Sequence, residues 1–161
     1  MITAFVEKNS VVGEIIEIKD KTELNHMKNS FRLQVGDSLR IVDGEYEYFT
    51  EIIELSKNEM ICKIIEKKED SFSTKVEIHA GIGLLKNDKM ELVIQKLVEV
   101  GVSKIIPVQM QRTIVKINEK KEKWDTIAKE ALKQCQAVKL TEITEPKALK
   151  KIDYSEYDLV L

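Results

Sequence analysis

A small β-barrel followed by a parallel α/β layer is the fold class that this sequence predicts, and three observations predict it. The first seventy residues hold several short runs rich in Ile, Val, Tyr and Phe, separated by turn residues, as the strands of a small barrel require. From about residue 75 the rhythm changes to strand, helix, strand, helix, strand, which asks for parallel strands joined by crossover helices. Between the two, Lys67-Lys68-Glu69-Asp70-Ser71 is charged and lacks apolar periodicity. The domain boundary is placed there, giving domains over 1–70 and 71–161.

In the first domain strands are expected at 2–6, 11–18, 38–42, 46–55 and 60–66, where β-branched and aromatic residues concentrate. Asp43-Gly44 stands between two of these runs as a hairpin turn does, and Gly36-Asp37 is a second turn signal. One helix interrupts at 22–31, with Asp20 or Thr22 available as its cap. In the second domain a strand at 75–80 leads to a helix at 88–100. Met90, Val93, Ile94, Leu97 and Val98 form one apolar stripe on it, closed by Gly101. A strand at 104–108 precedes a helix at 119–137, whose stripe is Trp124, Ile127, Ala128, Ala131, Leu132 and Cys135, with Asn118 placed to cap it. Trp124 is therefore expected in the core rather than as a base-stacking platform. The run 157–161 reads as a buried parallel strand, and because such strands are covered on both faces, more chain is expected to follow it.

With 43% hydrophobic and 34% charged residues and only two Pro and six Gly, the composition is that of a soluble globular protein. It excludes collagenous and low-complexity classes. No run approaches the roughly 18 apolar residues of a membrane span, and the start lacks a basic region followed by an apolar one, so a cytoplasmic location is expected. Cys62 and Cys135 form no CxxC, and with His26 and His79 they give no zinc spacing, so neither disulfide nor metal is expected. Residues 1–70 hold 10 Lys/Arg against 15 Asp/Glu, whereas 71–161 hold 16 against 13. The basic excess is consistent with a polyanionic partner and equally with a solvated helical surface.

Only three residues are Arg: Arg32, Arg40 and Arg112. A guanidinium binds phosphate or carboxylate through a planar fork that Lys cannot reproduce, so each Arg in so Lys-rich a chain merits a reason. Arg40 is expected on the surface with its stem packed on apolar neighbours. On the first crossover helix Gln95, Lys96 and Glu99 lie at i, i+4 and i, i+3 spacings, where they form a cluster or a solvated local ion pair. Gly81-Ile82-Gly83 fails as a nucleotide fingerprint, because the third glycine would fall at Lys86, and the two glycines are expected to permit a tight connection or close backbone packing. His26 is open between RNA contact and a place at the edge of the barrel.

In order along the chain stand His26-Met27-Lys28-Asn29-Ser30-Phe31-Arg32 with Val35-Gly36-Asp37, then Lys86-Asn87-Asp88-Lys89-Met90-Glu91, and Gln95-Lys96 with Glu99, Gly101 and Val102. Ile106-Pro107, Gln111-Arg112-Thr113, Lys123-Trp124, Glu130-Ala131 and Gln134-Cys135 continue the series. Together they resemble the small-subunit ribosomal RNA uridine-N3 methyltransferase family, RsmE. The resemblance implies an N-terminal PUA-like barrel that grips RNA, a C-terminal SPOUT domain of trefoil-knot type that binds S-adenosylmethionine, a homodimer, and methylation of N3 of a uridine in 16S ribosomal RNA without a metal. It assigns His26, Arg32 and Lys96 to RNA, with Arg112, Glu99 and Lys96 organising the entrance to the active site and Arg112 and Glu99 as the catalytic candidates. The family's Gly-Pro-Glu-Gly-Gly segment and its later donor-site stretches have no counterpart here, so the donor contacts are expected beyond Leu161 and the SPOUT part is expected to be truncated before the knot. Ala137 and Thr141 also stand where the family usually shows Arg and Pro. The fragment alone is expected to be inactive. The alternative is a non-catalytic RNA-binding protein that keeps the barrel and half of the second domain.

Overall fold

The computed structural model describes residues 1–70, 73–111 and 117–161. These divide into two compact units, Met1–Ser73 with Leu132–Lys139, and Thr74–Ala131 with Leu140–Leu161.

The first unit is built on a six-stranded sheet. Its strands are β1 (Thr3–Phe5), β2 (Val11–Val12), β3 (Ile15–Ile18), β4 (Ser38–Val42), β5 (Tyr46–Leu55) and β6 (Met60–Glu69), in the order β1-β4-β5-β6-β3-β2. β1 runs parallel to β4 and every other pair is antiparallel. Ala4 of β1, Ile16 and Ile18 of β3, Leu39 and Ile41 of β4, Ile52 of β5 and Met60 and Cys62 of β6 share one core. Strands far apart in the sheet meet in that core, so the sheet curls around it. Helix α1 (Lys21–Ser30) adds Leu24 and Met27 to the same cluster.

Two strand boundaries differ from those expected. The run 11–18 is a hairpin rather than one strand: Val12 pairs with Ile15, and Gly13, at φ +61, supplies the left-handed turn residue. β6 continues through the charged residues to Glu69 because tertiary pairing outweighs their low strand preference. Lys67 stands 3.5 Å above the Tyr46 ring and Lys68 4.6 Å above Phe49, so the ammonium groups lie against aromatic faces.

The second unit is wholly parallel. β8 (Lys104–Gln109) lies at its centre, with β7 (His79–Gly83) on one side and, in succession on the other, β9 (Glu142–Ile143) and β10 (Lys147–Ala148). α2 (Asn87–Glu99) joins β7 to β8 and buries Met90, Ile94 and Val98. Its end is a Schellman turn: Val102 N–H donates to Leu97 O and Gly101 N–H to Val98 O, both at 3.0 Å, with Gly101 at φ +81. α3 (Glu122–Cys135) buries Trp124, Ala128, Ala131 and Leu132, so Trp124 is a core residue.

Four expectations are corrected here. The strand expected at 75–80 is β7 at His79–Gly83, and Gly81-Ile82-Gly83 lies inside it, paired with Ile106, Pro107 and Val108. A Cβ on Gly81 would meet Val108 Cγ2 at 3.7 Å, an ordinary contact, so crowding does not demand the glycine. Asn118 does not cap α3, which begins at Glu122. Residues 157–161 form no strand: Tyr157 N–H donates to Tyr154 O in a turn, and Leu159, Val160 and Leu161 are exposed. The edge of β8 is filled instead by β9 and β10. Their two-residue lengths, with Pro146 and its missing N–H between them, hide this strand from a pattern search.

Arg40 is not on the surface. Its side chain and that of Glu47 are each only 6% exposed, with Nε donating to Glu47 Oε2 at 2.8 Å. Nη2 donates to the Gln136 carbonyl at 3.0 Å, and Gln136 itself holds φ +59 just past the end of α3. Removing one member of such a pair leaves a buried charge alone. Arg40→Ala is therefore expected to destabilise the chain by about 3–5 kcal/mol in urea unfolding, whereas the double change Arg40→Met with Glu47→Leu restores most of the loss. Equal destabilisation by the single and double variants would contradict this.

Candidate functional site

In the first unit α1 decides which side chains face solvent. Asp20 caps it, its carboxylate accepting from Glu23 N–H at 2.8 Å. With Leu24 and Met27 turned inward, the helical period leaves His26 exposed. His26 and Phe31 meet edge to face, with centroids 4.9 Å apart. Arg32 follows at φ +53, exposed, and no hydrogen bond or ion pair holds its guanidinium among the described residues. The chain is then pinned: Leu33 is buried, Gln34 N–H donates to Asp37 Oδ2 at 2.7 Å, and Gly36 N–H donates to Ile52 O at 2.8 Å with Gly36 at φ +92. The Val35-Gly36-Asp37 motif is thus a turn tied to β5, and it fixes the backbone that carries Arg32.

In the second unit the cluster on α2 forms as its spacing allows. Lys96 Nζ donates to Glu99 Oε2 at 2.7 Å and Gln95 Nε2 to Glu99 Oε1 at 2.9 Å. The Lys96 ammonium, with the Gln95 amide, holds the Glu99 carboxyl below its usual value. On the same helix Glu91 pairs with Lys123 at 2.7 Å, and Asn87 accepts from Lys121 at 2.8 Å, which ties the start of α3 to α2. Lys89 and Lys86 remain exposed. At the other end of the sheet His79 Nδ1 lies 3.2 Å from the Tyr157 hydroxyl. Arg112 lies outside the described residues.

The structure brings His26 and Arg32 to one end of α1, and Lys96 and Glu99 together on α2. Phe31 belongs to the first cluster, although the sequence placed it only at the end of a helix and within the family motif, with no role of its own. Its signal was an aromatic residue directly before an Arg at a helix terminus. Burial pushes the Cys62 thiol up to about 11, which makes it a packing residue and not a nucleophile. Among the described residues no group of three or more His, Cys, Asp or Glu could hold a metal ion. No helix among them is long and apolar enough to cross a membrane.

A curled six-stranded sheet with an exposed His–Phe–Arg corner, and a parallel α/β unit, define the class. The RNA methyltransferase PUA domain matches residues 18–65, and the RNA methyltransferase domain matches residues 72–161. The chain belongs to this RNA methyltransferase family, as its motifs led one to expect. Its architecture is a PUA-like N-terminal domain followed by a parallel α/β domain of SPOUT type. The ribosomal RNA small subunit methyltransferase E of Bacillus subtilis is 34% identical over 118 residues, covering 70% of this chain and 46% of that protein. A Legionella pneumophila structure in complex with the bound cofactor SAM is 26% identical, with a TM-score of 0.77, and covers 93% of this chain and 64% of that one. The ribosomal RNA small subunit methyltransferase E of Neisseria gonorrhoeae bound to S-adenosyl methionine shares the fold, with a TM-score of 0.82, 20% identity, and 96% and 67% coverage. The chain spans about half the length of the curated relatives it matches, 46% and 57% for the first two.

A group whose folded pKa is depressed contributes stability above its unfolded pKa and loses it as pH falls through the folded value. Glu99 is such a group. In Lys96→Met its carboxyl is expected to titrate closer to an ordinary glutamate, read by carbon NMR of the side chain, and that part of the acid dependence of stability shrinks. An unchanged Glu99 titration would show that the Lys96 contact does not set it.

Proposed function

We propose that this chain is part of an enzyme that transfers a methyl group from S-adenosylmethionine to N3 of a uridine in 16S ribosomal RNA, working as a homodimer on the small subunit or its RNA in the cytoplasm. The observation that carries the reading is the pairing, in one chain, of an RNA methyltransferase PUA domain with an RNA methyltransferase domain. The small-subunit relative from Bacillus subtilis supports the choice of RNA.

In this reading His26 and Arg32 hold the RNA on the first unit. Their exposure and the unpaired guanidinium suit phosphate contact, which positions RNA without reading its sequence. The entrance to the active site is assigned in this reading to Lys96 and Glu99, with Arg112, outside the described residues, as a further candidate. Glu99, its carboxyl kept ionised by Lys96, is a weakened base, so its part is to fix Lys96 and Gln95 while Lys96 offers charge to the backbone of a flipped-out nucleotide. S-adenosylmethionine, when bound, supplies an electrophilic methyl on sulfur. In this reading the donor contacts belong to the part of the relatives that this chain does not span.

Modification mapping of ribosomal RNA in a strain lacking the gene tests this. The expected result is loss of one N3-methyluridine from 16S ribosomal RNA and its return on complementation. An intact 16S uridine methylation pattern in that strain would refute the substrate assignment.

A further inference from the structure

We propose that Phe31 is a stacking platform for one unpaired nucleotide of the bound RNA, with Arg32 on the phosphate beside it; this rests on the reading of the first unit as the RNA-gripping part of the enzyme. Phe31 ends α1 and is 44% exposed, yet its ring is held in place by the edge-to-face contact with His26, whose Nδ1 lies 3.4 Å from Ser30 Oγ. A single exposed aromatic is ordinary on a protein surface. What sets this one apart is its neighbour. Arg32 sits at φ +53, a region that side-chain-bearing residues rarely adopt and glycine enters freely. The guanidinium is kept there against the backbone's preference, exposed and without a partner among the described residues. The same left-handed backbone closes α3 at Gln136, so the helix end sets it, and at Arg32 it holds an arginine where a glycine would sit at less cost.

The two residues are also fixed from both sides. Met27 behind them and Leu33 ahead are buried, and Leu33 N–H reaches back to Met27 O at 3.4 Å. Little order remains to be imposed when a ligand arrives, so the contact is pre-organised. Charge indicates the kind of ligand. With 12 basic against 15 acidic residues over 1–73 and 132–139, this unit has no general attraction for a polyanion, so a local contact must supply the affinity. A planar ring beside a guanidinium suits a base whose face is open, and only an unstacked nucleotide offers that face. Such a platform tolerates any base.

The test uses a short single-stranded RNA carrying 2-aminopurine, titrated with the 161-residue chain. Quenching of the fluorophore is expected with the wild-type chain and with Phe31→Tyr. Phe31→Leu is expected to lose the quenching and to weaken binding by about 5- to 150-fold, the ratio that base–aromatic stacking is worth. Arg32→Gly is expected to weaken binding while the melting temperature stays the same or rises, a combination that a merely structural arginine would not give. Wild-type quenching in Phe31→Leu would overturn the platform while leaving RNA binding by this unit intact. No binding by the wild-type chain of either single-stranded or duplex RNA would overturn the underlying reading as well.

Discussion

The seating of Leu24 and Met27 in the core of the first unit is the contact on which its proposed RNA face depends. Burial of two such side chains is worth about 1.5–3 kcal/mol each, and it fixes the rotation of α1. Once that rotation is set, His26 faces solvent and the helix ends with Phe31 and Arg32 outside the core. The Asp20 cap fixes where the helix starts, and the Gly36-Asp37 turn, bonded to β5, fixes where the chain goes next. A polar substitution at Leu24 or Met27 would therefore disturb the face without touching any residue on it.

Much of the fold was legible because it is locally encoded. β4 and β5 lie where alternation and turn residues put them, and the apolar stripe and Gly101 mark α2 and its end to within a residue. What stayed hidden depends on partners distant in sequence. Nothing local says that β1 lies parallel to β4 or that β6 lies between β5 and β3. The charged end of β6 is a strand because Tyr46 and Phe49 receive its lysines. β9 and β10 are too short to show a period, while the apolar run 157–161 looks like a strand and yet joins no sheet, with Leu159, Val160 and Leu161 exposed.

The candidate residues divide along the same line. Gln95, Lys96 and Glu99 could be placed together because helical spacing alone sets their geometry. The importance of arginine in a Lys-rich chain was also legible, but the sequence could not tell a buried guanidinium from an exposed one. Arg40 is spent inside the unit on Glu47 and the Gln136 carbonyl, whereas Arg32 remains open to a ligand. That difference turns on tertiary burial, which no single segment carries.

Amide hydrogen exchange of this chain, with and without a 16S ribosomal RNA fragment, tests the proposed RNA face most directly. Protection is expected to concentrate in residues 26–37, at the end of α1 and the turn that follows. Protection confined to the β2–β3 hairpin, with residues 26–37 exchanging as in the free chain, would contradict it.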